Sequence, residues 1–242
     1  IPMEPKAAIE IINQGDKCCI DYGKINNIPF FCTCGVGFDA FISLKFADSG
    51  KRGLLTYLEN TLHESLTYQP ETYEIENEEG TMKYKAWLIA CGNASQYGND
   101  AYIAPQASLT DGLMDVTIME PFTVLDVPSL SFQLFNKTID QNSRVKTMRA
   151  KKIKIHRVND GVMHFDGDPL MAGKELEVEI VPAGLRVIAS EKKKEKPENP
   201  NLLQVISNYF SGLHLKGEEM MAKRQSHLFE LNRTLLGKLS KK

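Results

Sequence analysis

The chain is 242 residues long, 42% hydrophobic and 25% charged, with 17 Gly, 11 Pro and a formal net charge of −2. Such a composition fills a core large enough for one large domain or two small ones and excludes disordered and collagen-like chains, while the near-neutral charge gives no general attraction to nucleic acid. That neutrality is an average, because residues 191–242 hold 11 Lys plus Arg against 6 Glu, a local +5 that leaves −7 on the rest.

Ile1-Pro2-Met3-Glu4-Pro5 reads as a loop entering a helix over Lys6 to Gln14, which sets the expectation of a further segment upstream. Gly15 closes that helix. Alternation over Cys18 to Ile25 and over Ile28 to Val36, with Asn26-Asn27 between, predicts two strands joined by a tight turn. Helical spacing follows over Phe38 to Phe46 and over Leu54 to Tyr68, the second marked by Leu54, Leu58, Leu62 and Leu66. Glu71 to Asn77 and Met82 to Cys91 read as long strands around Glu78-Glu79-Gly80. A strand over Leu113 to Met119 and a helix over Val124 to Phe135 come next. Strands over Val145 to His156, Val162 to Asp166, Leu176 to Val181 and Leu185 to Ala189 complete the series. Roughly nine strands with Gly, Asn and Asp turns predict a mainly β chain with α insertions, an antiparallel two-sheet β-sandwich over residues 1–190.

After Ser190 the Lys/Glu/Pro run Glu191 to Pro200 reads as a solvated linker. Two apolar stripes then predict C-terminal amphipathic helices, one through Leu202, Leu203, Val205, Ile206, Tyr209 and Phe210, the other through Met221, Leu228, Leu231, Leu235 and Leu239. Helices of that kind need a partner surface: the sandwich, another lobe, a second copy of the chain in a homo-oligomer, or an anionic membrane touched peripherally. No apolar run reaches the roughly 18 residues that span a bilayer. The five cysteines, Cys18, Cys19, Cys32, Cys34 and Cys91, are odd in number and fit a reducing, cytoplasmic setting. Cys32 and Cys34 alternate in an apolar run and are expected on one face of a buried strand. No Cys-x-x-Cys or paired His cluster offers a zinc site.

Three strings carry chemistry. Gly35-Val36-Gly37-Phe38-Asp39-Ala40 fits G-x-G-x-x-A between a strand and a helix, but a dinucleotide site needs a parallel strand ending in an acid about 20 residues on, and that window reads as helix. A glycine-permitted turn is the better account. The polar stretch Gly92 to Thr110, with Asn93 at its start and Asp111-Gly112 at its close, is long for a connection without a task. Asp111-Gly112 suits a turn, and its carboxylate among loop carbonyls also offers the hard oxygens that Mg²⁺ prefers. Asp166-Gly167-Asp168-Pro169 ends a strand and is a turn by default. Two carboxylates one residue apart there also suit proton abstraction from an alcohol, the step that phosphoryl transfer to a hydroxyl requires.

Taken in order, FFCTCGVGFDA (Phe30 to Ala40), GN (Gly92-Asn93), YG (Tyr97-Gly98), APQASLTDGLMDVTIM (Ala104 to Met119) and HFDGDP through VPAGLRVI (His164 to Ile188) resemble the diacylglycerol kinase catalytic family of bacterial lipid kinases and sphingosine kinases. The likeness covers Ile1 to about Ser190, and even the opening IPMEP resembles the segment after that family's nucleotide-binding lobe. It implies a two-lobe kinase whose N-terminal lobe carries a GGDGT motif for ATP and whose C-terminal β-sandwich carries the lipid site; GGDGT does not occur in this chain. By motif position Asp168 matches the proton acceptor, most often Glu in the family, and the shorter Asp leaves Asp166 as the other candidate. Asp111, with the backbone carbonyls of Ser108 and Leu113, matches the family's Mg²⁺ position at the lobe boundary. Gly35, Gly37, Asp39 and Asn93 would line or support the cleft.

Two readings are open. In the first, the parent protein transfers a phosphoryl group from Mg-ATP to a lipid alcohol, with ATP gripped mainly by the missing N-terminal lobe, at the inner membrane face or in the cytoplasm, and without nucleic acid. In the second, the chain is a non-catalytic β-sandwich that binds lipid or a partner. NAD kinase shares the distant fold, but its T-x-x-x-S-A-G-G string is lacking here and it ranks below the lipid kinases.

Overall fold

The computed structural model describes residues 4–15, 17–49, 68–123 and 125–189. The predicted helix over Leu54 to Tyr68 lies outside them save for its last residue, and the linker and helices after Ser190 lie outside them altogether. The chain divides into two units after Ser190, and the described residues all belong to the first.

In chain order the first half holds α1 (Pro5–Gln14), β1 (Lys17–Ile25), β2 (Ile28–Phe30), β3 (Thr33–Gly37), α2 (Phe38–Ser49), β4 (Glu71–Asn77), β5 (Gly80–Ala86) and β6 (Leu88–Gly92). The second half holds β7 (Met114–Met119), α3 (Val127–Phe135), a 3-10 turn (Ile139–Gln141), β8 (Val145–Ala150), β9 (Lys152–Arg157), β10 (Gly161–Phe165), β11 (Asp168–Ala172) and β12 (Glu175–Ile188). Local chemistry sets several of these limits. Glu4 accepts from the amides of Lys6 and Ala7 at the start of α1, and Gly15 ends it at φ 70°. Asn26 and Asn27, at φ 47° and 67°, make the two-residue turn between β1 and β2.

Twelve strands form two antiparallel six-stranded sheets. Sheet A runs β2-β1-β12-β9-β4-β5 and sheet B runs β11-β10-β3-β6-β7-β8. Their facing sides close one core around Ile25, Phe30, Val36, Tyr73, Ile75, Ile89, Val116, Ile118, Ile153, Ile155 and Val178, all at most 1% exposed. The two sheets differ in what covers their backs, and the difference is written in the strands. Those of sheet A alternate, as in Lys152–Arg157, where Ile153, Ile155 and Arg157 point in. The alternating outward positions carry a ladder of ion pairs: Lys24 and Lys152 with Glu179, Lys152 with Glu177, Lys154 with Glu76, Lys83 with Glu74. Strands β3, β6 and β7 of sheet B are buried at every position, as runs such as Leu-Ile-Ala-Cys-Gly and Met-Asp-Val-Thr-Ile-Met require. Their second face is covered by Phe38 and Ile42 of α2, Leu130 of α3, and Ile103 and Ala104 of the loop before β7.

Twelve strands replace the predicted nine because the chain changes sheet within three predicted strands. Ile28 to Val36 breaks at Phe31-Cys32, Met82 to Cys91 breaks at Trp87, and Val145 to His156 breaks at Lys151; each time the two halves join different sheets. Hydrophobic patterning is continuous across such a corner, so it carries no mark of the bend. The prediction for Cys32 fails for the same reason: it sits exposed at the corner, whereas Cys34 is buried in the core. Two predicted strands over Leu176 to Ala189 are instead the single strand β12, and the Pro182-Ala183-Gly184 stretch between them is a bulge opposite Asp21 rather than a turn. β11 is the strand that sequence patterning missed, folded back onto β10 by the Asp166-Gly167 turn.

Candidate functional site

The β10–β11 hairpin brings Asp166 and Asp168 to one end of sheet B. Phe165 pairs with Asp168, leaving Asp166 and Gly167 as a two-residue turn at φ 48° and 91°, the values that Asp-Gly favours there. The Asp166 carboxylate points back across the sheet. It accepts from the amides of Phe31 at 2.7 Å, Cys32 at 2.7 Å and Thr33 at 3.1 Å, and so holds the corner where β2 passes into β3. Asp168 is exposed, and among the described residues its carboxylate takes no hydrogen bond or ion pair.

The loop that closes on Asp111 is held by a residue sequence reasoning passed over. Asp21, 2% exposed, sits at the bulge of β1. One carboxylate oxygen accepts from the amide of Ala183 and the other from the amide of Gly112, both at 2.7 Å, while its own amide donates to the carbonyl of Leu109. Asn93 is fully buried beside it and donates its side-chain amide to the carbonyls of Asp21 at 3.0 Å and Phe31 at 2.8 Å. Asn93 is therefore a weld between the Asp21 bulge and the Phe31 corner. Asp21 had a signal: in Lys17–Ile25 the inward positions are Asp21, Gly23 and Ile25, and an inward carboxylate in a strand demands donors.

Asp111 accepts from the amide of Leu113 at 3.1 Å with one oxygen and is bound by the Arg149 guanidinium with the other. Arg149 also reaches Asp115 at 3.4 Å. Burial pushes the Asp115 carboxyl above its ordinary range, and Arg149 works against that shift. The Ser108 hydroxyl lies 3.4 Å from that of Thr110. For a cation this is hard-oxygen chemistry of the kind a hydrated Mg²⁺ uses, one carboxylate with loop oxygens. Arg149 now supplies the positive charge, and among the described residues no three His, Cys, Asp or Glu side chains gather around one point.

Cross-strand register relates the two ends of the site. Asp166 neighbours Thr33, which pairs with Gly92, which pairs with Asp115, which pairs with Arg149. The acidic turn and the Arg149–Asp111 pair thus stand along one end of the strands of sheet B, four strand spacings or roughly 19 Å apart. Asn93 and Asp21 tie the ground between them. Asp39 does not join either group: it opens α2, with its side chain 9% exposed against His164 and Tyr97. Gly35 and Gly37 lie in β3, which is antiparallel to both its neighbours, so the G-x-G-x-x-A string is not in a parallel dinucleotide-binding unit. At Gly37, φ is 99° and a Cβ would stand 2.6 Å from the carbonyl oxygen of Trp87.

Residues 33–189 match the family described as YegS C-terminal NAD kinase beta sandwich-like domain. Lipid kinase YegS of Escherichia coli (strain K12) is 28% identical over 189 residues, 77% of this chain and 62% of that protein. The chain thus spans 62% of the length of this curated relative. Two solved chains of Bacillus anthracis str. Sterne, one of them named a diacylglycerol kinase, superpose with TM-scores of 0.61 and 0.58 at 16% and 15% identity. They cover 79% of this chain and 63% and 61% of theirs.

Proposed function

We propose, for a chain that belongs to the family of YegS C-terminal NAD kinase beta sandwich-like domains, the role of the lipid-facing lobe of an ATP-dependent lipid kinase. The observation that carries the reading is the division of labour at the hairpin tip. Asp166 has its oxygens committed to three amides, and Asp168 presents an exposed carboxylate without a partner among the described residues. Of the two, Asp168 keeps all its lone pairs open to accept the proton of an alcohol, while three amides occupy most of those on Asp166. Asp166 holds the corner beneath it and is a positioning residue.

The reaction would take a proton from a lipid hydroxyl onto Asp168 as the oxygen attacks the terminal phosphorus of ATP and ADP leaves. ATP belongs in this reading to a second lobe that faces this end of the sheet. Asp111, with the carbonyls of Ser108 and Leu113, would hold Mg²⁺ at the other corner of that end, where Arg149 neutralises the carboxylate. A bound Mg²⁺ supplies charge neutralisation for phosphate oxygens. Among the described residues no helix is long and apolar enough to cross a membrane, so contact with a lipid substrate is proposed as peripheral.

The test is to express the full-length protein and screen lipid alcohols, diacylglycerol among them, with labelled ATP. Asp168→Ala is expected to lower kcat by at least about a hundredfold with the melting temperature unchanged, while Asp166→Ala lowers both. Near-normal phosphorylation by Asp168→Ala would remove the assignment.

A further inference from the structure

A second buried polar cluster lies on the back of sheet B, away from the core between the sheets. Asp39, in the first turn of α2, accepts from the amide of Ala40 at 2.8 Å with one oxygen. Its other oxygen takes the Tyr97 hydroxyl at 2.9 Å and His164 Nε2 at 3.0 Å. The side chains of His164 and Asp39 are 3% and 9% exposed. With a carboxylate oxygen opposite, Nε2 is the donor of this contact. His164 Nδ1 is buried without a partner among the described residues, an arrangement that costs stability. The backbone makes room for the pair: Gly35 stands opposite His164 on β3, and a Cβ there would lie 2.8 Å from the Asp39 carboxylate and 3.1 Å from His164 Nε2.

We propose that Asp39 and His164 form a positioning pair for the Asp168 carboxylate. On its other side His164 is in register with Pro169, the residue after Asp168, and it lies two residues before the Asp166 turn. β11 is a five-residue edge strand, and Pro169 lacks an amide, so its ladder to β10 is a weak hold on the tip. α2 packs along both strands of this hairpin. The Asp39–His164 contact is a directional tie within that packing, and it sets the plane of the hairpin while the Asp166 clamp sets its floor. Small displacements of a base are costly, since proton transfer falls off steeply once the donor–acceptor distance is lost.

The catalytic consequence rests on the lipid-kinase reading; the mechanical one does not, and the experiment separates them. In the full-length protein, His164→Leu is expected to lower kcat by about tenfold or more with KM for ATP and lipid unchanged, and His164→Gln, which keeps a donor toward Asp39, to restore most of it. Equal behaviour of the two variants, or a loss confined to KM, overturns the proposal. Amide hydrogen exchange on the 242-residue chain is the second readout. His164→Leu should speed exchange of the Asp168 amide, and of the Phe31 to Thr33 amides that Asp166 holds, by about tenfold while the β4 and β9 amides keep wild-type rates, with His164→Gln again near wild type. Unchanged exchange at the tip in His164→Leu overturns the proposal. Should no lipid alcohol be phosphorylated by the wild-type protein, the functional reading fails by itself and the exchange result still decides this one.

Discussion

Three amides on one carboxylate leave Asp166 little capacity for chemistry, and the neighbouring Asp168 none of those partners and all of that capacity. Chain order treats the two as equivalent acids in one turn; only the direction of each side chain separates them. A second acid lends itself to a sign test. Burial raises the Asp115 carboxyl above its ordinary value of 3.8, with Arg149 opposing. The folded chain then keeps that proton to a higher pH than the unfolded chain. Its contribution to stability is present at acid pH and is lost as pH rises from the unfolded value through the folded one. The stability of the wild type relative to Asp115→Asn should therefore decline as pH climbs from about 4, in urea unfolding series across that range. A difference that grows with pH would mean that Arg149 outweighs desolvation.

At the scale of elements, the β10–β11 hairpin is gripped at both ends. Asp166 holds the tip, and at the open end Arg157 donates to the carbonyls of Gly161, Val162, Ala172 and Gly173 at 2.8 to 3.1 Å. Arg157 is 6% exposed at the inward register of β9, where burial works against its charge and lowers its pKa. Only a planar fork reaches four carbonyls on two strands, so Arg157→Lys should cost roughly 2–4 kcal/mol in denaturant unfolding. Lys152→Gln in the exposed ladder of sheet A serves as the control, at under about 1 kcal/mol. The sheet edges are blunted by short or charged strands: β2 has three residues with Pro29, β11 has Pro169, β5 carries Lys83 and Lys85, and β8 carries Lys146 and Arg149.

At the scale of the whole molecule, Asp111, Asp166 and Asp168 stand along one end of the strands of sheet B, and among the described residues that end alone offers no cradle for a triphosphate. Calorimetry on the 242-residue chain is expected to show no micromolar affinity for ATP, with or without Mg²⁺. Micromolar binding would place the nucleotide on this chain and overturn the two-lobe proposal.

Patterning in the chain was enough for the class of fold and for most strands: alternation marked Cys18 to Ile25, and Glu71 to Asn77 and Leu113 to Met119 read as strands to within a residue of where they lie. Turn chemistry marked Asn26-Asn27 and Asp166-Gly167, because the backbone angles that those residues tolerate are local properties. The three corners where strands change sheet were silent, since a bend between two buried segments alters no residue's polarity. Sequence order offered Asp111, Asp166 and Asp168 as candidates but not the partners of each carboxylate. Asp21 on Gly112 and Ala183, Asp166 on Phe31 to Thr33, and Asp39 on His164 are pairings across 91 to 162, 133 to 135 and 125 residues of chain. Which carboxylate is committed and which is free is decided by partners that only the folded backbone brings within hydrogen-bond reach.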